Sequence, residues 1–164
     1  MTRGGEESGP GSIGREIEHL AEVHRCALRG PSWHGPAVLE ALDGVDAETA
    51  SRRPIGTAHT IWEIVRHIET WDRVVLRRLQ GGWFEPTEAE DWPPVEDRDE
   101  PSWRRDVASM IAAHEELNGA LRTLPPEALE TPTAPGKRAL FHMVYGAIEH
   151  ELYHAGQIAI LRKG

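Results

Sequence analysis

The chain has 164 residues, a formal net charge of −9 and a pI near 5.5, with one cysteine. No Lys/Arg block is longer than two, so the acidic surface repels phosphate backbones and nucleic acid is excluded as a partner. A lone cysteine excludes an intrachain disulfide or a cysteine-rich zinc module, and Cys26 reads as a small buried apolar residue.

Residues 1–11 (MTRGGEESGPG) are polar and glycine-rich and are predicted to be a disordered tail, followed by a single domain over 12–164. That length is enough to bury roughly 70% of the unfolded surface in one core. The tail holds no apolar signal-peptide segment, and no apolar run approaches the roughly 18 residues of a membrane span. A cytoplasmic protein with no membrane contact is expected. From Ser12 to about Arg29, Ile13, Ile17, Leu20, Val23 and Leu28 mark one face of a first helix. Gly30-Pro31 ends it, and Ser32-Trp33-His34-Gly35-Pro36 reads as a rigid turn before a short helical piece, Ala37 to Leu42. Asp46 to Thr57 then crosses to the next long helix.

That helix has a clear start. Thr60-Ile61-Trp62-Glu63 fits a capping box, in which the Thr hydroxyl accepts from the amide three residues on and the Glu reaches back. The pattern runs to about Gln80 and stops at Gly81-Gly82. Ile64, His67, Ile68, Trp71, Val74, Val75 and Leu79 form its apolar face. A lone histidine in such a stripe is more often a packing residue than a ligand. Trp83 to Pro101 reads as a long irregular connection, of the kind that is functional or disordered. A third helix is predicted over Ser102 to Leu124, with His114 on or beside its apolar face in a packing or surface role. Pro125-Pro126 and the stretch Thr131 to Gly136 break the chain before the last helix. Four helical segments without a strand pattern predict an all-α bundle with long connections.

In the last helix His150 and His154 are four residues apart, so they project the same way and can chelate one metal ion. His150-Glu151-Leu152-Tyr153-His154 also satisfies H-E-x-x-H, the zinc-protease signature. The extended pattern would need Gly at 157 and His at 160, where the chain has Gln157 and Ile160, and no residue after His154 is His, Asp, Glu or Cys. A third ligand must come from upstream. His67, on another helix facing the same core, would complete a three-imidazole site with open positions, the arrangement of a catalytic metal.

Thr60 to Ile68 followed by Trp71, and His150 to Ile158, resemble the DinB (DNA-damage-inducible, DinB/YfiT-like) family. The turn Trp33 to Pro36 and the helix order are also similar, over nearly the whole chain after residue 12. The resemblance implies a four-helix bundle with one divalent metal on three histidines, mapping onto His67, His150 and His154. It also implies homodimers and a relationship to thiol S-transferases that use bacillithiol or mycothiol. The expected function is a metal-dependent (Zn, Ni or Mn) transferase or hydrolase of stress or detoxification chemistry. It would act on a small-molecule substrate, with a low-molecular-weight thiol as co-substrate in the transferase case. The rival is a non-catalytic, metal-binding, dimerising stress-response protein. Glu63, one turn before His67, is the candidate to orient it or act as a base, although the capping box accounts for it without catalysis. Glu149 and Glu151, about 100° round the helix from His150, are expected in solvent or behind the ligands. Tyr153, Gln157, Trp62 and Trp71 are candidates for lining a pocket. His19, His24, His34, His59 and His142 show no defensible pairing.

Overall fold

The computed structural model describes residues 10–33 and 35–164. Among them are seven α-helices, one 3-10 turn (Pro126–Glu130) and no strand beyond an isolated bridge between Pro132 and Ala139. Four helices are long: α1 (Pro10–Arg29), α4 (Ile61–Leu79), α6 (Glu100–Arg122) and α7 (Leu140–Leu161). They pack as a ring in the order α1, α6, α4, α7, with α1 and α4 on one diagonal and α6 and α7 on the other. Three short helices, α2 (Val38–Leu42), α3 (Ala47–Ser51) and α5 (Glu88–Asp91), lie in the connections. The α2 helix packs on α1 and α7, and α3 on α4 and α6. No described helix is long and apolar enough to cross a membrane.

The predicted start of α4 is present in full. Thr60 Oγ1 accepts from the Glu63 amide at 3.1 Å, and the Glu63 carboxylate accepts from the Thr60 amide at 2.8 Å. Two short helices lie where the sequence reading had only connections. Asp46 accepts from the Thr49 amide at 2.8 Å and starts α3, and Thr87 caps α5. Four or five residues are too few for a hydrophobic period to register, so only the caps could have announced them. The first helix begins at Pro10, so the last two residues of the expected tail are helical. Residues 1–9 of that tail, and His34 of the predicted turn, lie outside the described residues.

The apolar core falls into two clusters. One includes Leu28, Ile68, Met110 and Ala155; the other includes Ala21, Val75, Leu117 and Ile148. Each long helix contributes one residue to each of these sets, and between the two stands a polar residue: His24, Asp72, His114 and Glu151, three or four positions from each flanking partner. All four are at most 2% exposed, so the two halves of the core are separated by a buried polar layer. Burial pushes the Asp72 and Glu151 carboxyls well above the usual carboxylate range. It also pushes the His24 imidazole well below its ordinary value and that of His114 down to about 4.

Thr60→Ala should destabilise the protein by about 1 kcal/mol, because it removes the acceptor for the first turn of α4. Urea unfolding followed by circular dichroism will measure this, and an unchanged midpoint would mean that packing alone holds the helix start.

Candidate metal centre

His150 and His154 leave α7 on one side and meet His67 across the α4–α7 interface. The Nε2 atom of His150 lies 2.9 Å from Nε2 of His67 and 3.0 Å from Nε2 of His154. His67 and His154 are buried and His150 is half-buried. The hydrogen bonds behind the rings set which nitrogen carries the proton. Nδ1 of His67 faces two acceptors, the Asp91 carbonyl oxygen at 2.8 Å and Asp91 Oδ1 at 3.1 Å. Nδ1 of His154 donates to the Gln157 side-chain oxygen at 2.6 Å. Both rings therefore hold their proton on Nδ1 and turn an Nε2 lone pair toward His150.

This donor set fits a divalent cation. A proton on His150 Nε2 can serve one lone pair well, whereas an ion among the three nitrogens serves them all. The three rings are also in the neutral form that metal ligation needs. Burial, reinforced by the other two imidazoles, pushes His150 down to about 3. Burial lowers His154 to about 4 against the opposing Gln157 bond, and lowers His67 against the opposing Asp91 contacts.

The long connection supplies the other side of the site. Asp91, at the end of α5, also accepts from Trp71 Nε1 at 2.7 Å, which ties it to α4. The next residue, Trp92, stacks on His67 with ring centroids 3.8 Å apart and on His59 at 3.5 Å. His59 thus belongs to the surroundings of the centre, although the sequence reading left it out.

Two cavities border different histidines of the cluster. One of about 350 Å³ meets His154 and is walled by Ile55, Ile64, Trp92, Tyr153 and Ile160. The other, about 270 Å³, meets His150 and is walled by Trp71, Val75, Arg78 and Met143. Trp71, Tyr153 and Gln157 do line these spaces, whereas Trp62 is fully buried in the core and donates to Asp106 at 2.8 Å.

Glu63 is engaged elsewhere. Its oxygens accept from Arg53 at 2.7 and 3.0 Å, from the Thr60 amide, and lie 3.3 Å from His59. Partial burial raises its carboxyl, but the Thr60 amide, Arg53 and His59 together hold it below the usual carboxylate range. His114 does not belong to the three-imidazole cluster and stands in the polar layer. Glu151 corrects the expectation of a solvated or supporting place behind the ligands. The 100° turn from His150 carries it into the bundle centre, where Oε1 lies 2.7 Å from His114 Nδ1. Glu149 is exposed, as expected. On α1 the buried face passes through His24, while Val23, read as part of the stripe, is half exposed. The signal that could have found Glu151, His24 and Asp72 was a polar residue standing at a core position of an otherwise apolar helical stripe.

A family model described as the DinB superfamily matches residues 32–158, a span that includes all three histidines. No curated protein and no solved structure matches the chain.

In chelator-treated protein at pH 7, long-range proton–nitrogen NMR spectra should show His67 and His154 protonated on Nδ1 alone. A proton on Nε2 of either ring would contradict the convergence of lone pairs.

Proposed function

The chain belongs to the DinB superfamily, and on that premise we propose that it is a divalent-metal-dependent thiol S-transferase with His67, His150 and His154 as ligands. The observation that favours this reading is the pair of cavities, one meeting His154 and the other His150. A transferase must bring two molecules to one centre, and two separate spaces opening on different ligands suit that need. A divalent ion held there would act as a Lewis acid, lowering the pKa of a thiol or water that reaches it.

The chain's own groups do the remaining work. Asp91 accepts the Nδ1 proton of His67, which fixes the ring's tautomer and makes Nε2 a better donor; Gln157 does the same for His154. Trp92, laid flat on His67, shields that ring from water. The Ile55, Ile64 and Ile160 side chains suit an apolar electrophile in the first cavity. In the second, the Arg78 guanidinium is held by the Phe84 carbonyl oxygen and by Glu85, and would face the acidic groups of a thiol substrate bound there. Glu63 serves as the cap of α4 and partner of Arg53 in this reading.

A second reading, a hydrolase, follows if water takes the place of the thiol at the same centre. Protein loaded with Zn²⁺, Ni²⁺ or Mn²⁺ should consume a bacillithiol- or mycothiol-type thiol with an epoxide or alkyl halide. Cleavage of an ester or amide without thiol consumption would install the hydrolase instead. Elemental analysis should find the ion lost from His67→Ala, His150→Ala and His154→Ala, and a triple variant with wild-type metal content would sink the ligand assignment. Asp91→Ala should weaken metal binding by about 10–100-fold, read by competition with a chromophoric chelator.

A further inference from the structure

The polar layer between the two halves of the core has the makings of a site of its own. His24 on α1, Asp72 on α4, His114 on α6 and Glu151 on α7 each bring a ligand-type atom to within 4.8 Å of the other three. Every long helix supplies one of them. Among the described residues, five buried side-chain nitrogen or oxygen atoms lack a hydrogen-bond partner, and four belong to this layer: His24 Nε2, Asp72 Oδ2, His114 Nε2 and Glu151 Oε2. Native cores pair such atoms, so four together at one level require an explanation.

The Asp72 and Glu151 carboxyl groups lie close enough to share a proton, and the other contacts leave both imidazole Nε2 atoms without a partner. Nδ1 of His114 is 2.7 Å from Glu151 Oε1, and Nδ1 of His24 is 3.0 Å from the Asn118 amide, which also donates to the Ala21 carbonyl oxygen. The two imidazoles stack in parallel with centroids 3.9 Å apart, and His24 Nε2 lies 3.6 Å from Glu151 Oε1. A proton shared between the carboxyl groups would leave both imidazole Nε2 atoms without partners. A divalent cation would satisfy all four residues and balance the charge of two carboxylates.

We propose that His24, Asp72, His114 and Glu151 form a second metal site, closed within the bundle core, that takes a divalent transition ion of the manganese, iron or zinc class. Two imidazole nitrogens with two carboxylate oxygens suit such ions better than the all-oxygen preference of Mg²⁺ or Ca²⁺, or the thiolate preference of Cu⁺. Four protein ligands, each at most 2% exposed, mark the site as structural, in contrast to the three-ligand centre with its two cavities. Ligands bound at about 2.1 Å lie no more than about 4.2 Å apart, so uptake draws the layer slightly inward. Binding at His24 Nε2 places that ring's proton on Nδ1, so the Asn118 amide, which donates both to Nδ1 and to the Ala21 carbonyl oxygen, has to draw back from the ring. None of these four residues is a ligand of the first centre, and the site stands whether or not the transferase reading does.

The test is zinc content per chain, by elemental analysis, after refolding with excess Zn²⁺ and passage over a chelating resin. Three proteins are compared: wild type, His150→Ala/His154→Ala, and Asp72→Asn/Glu151→Gln. The expected result is two ions in the wild type and one in each variant. One ion in the wild type, kept by the histidine variant and lost from the carboxyl variant, would uphold the second site while overturning the first. One ion that follows the opposite pattern would overturn the second site, as would no ion at all. Should the carboxyl variant fail to fold, the histidine variant decides. Zinc with two imidazoles and two oxygens in its X-ray absorption spectrum supports the proposal, and a folded, zinc-free protein refutes it.

Discussion

Four ionisable side chains buried at one level of the core set the terms on which this bundle can close. An unsatisfied buried polar atom costs roughly 1–3 kcal/mol, so a helix shifted by one turn would carry one of the four into an apolar cluster at a similar penalty. The layer therefore pins α1, α4, α6 and α7 to a common register. That same register delivers the three-imidazole cluster. With Glu151 pointed at the bundle centre, His150 and His154 must face α4, where His67 stands one turn and a half before Asp72.

The α7 helix consequently carries parts of two different clusters on neighbouring residues. On one side its histidines meet cavities; on the next its glutamate meets only protein. The contrast decides what each cluster can do. An open set of neutral imidazoles can share an ion with a substrate, while a closed set of two acids and two imidazoles holds its contents away from solvent. Apolar packing surrounds the second cluster above and below, through residues such as Met110 and Leu117, and makes any charge imbalance there expensive.

The connection between α4 and α6 belongs to the centre as much as the helices do. Asp91 fixes the tautomer of His67, and Trp92 covers its face, so a segment without regular periodicity determines the direction of an imidazole's lone pair. Loops placed on a rigid scaffold often carry such functions. Here the short helix α5 and the Trp71–Asp91 hydrogen bond make the placement exact enough to matter.

Much of this was legible in the residues alone. The four long helices, the Thr60 cap and the shared direction of His150 and His154 follow from local rules: a helix repeats every 3.6 residues, and a cap bonds three residues ahead. His67 could be nominated because a core face on a second helix must turn toward the first. What local rules cannot specify is which faces meet. The bond between His114 and Glu151 spans 37 residues of chain and that between Asn118 and His24 spans 94. A helical period assigns Glu151 an angle relative to His150, but only the arrangement of neighbours makes that angle an interior one. The tertiary packing decided the polar layer, the partners of each imidazole and the two cavities, because each depends on side chains brought together from different helices.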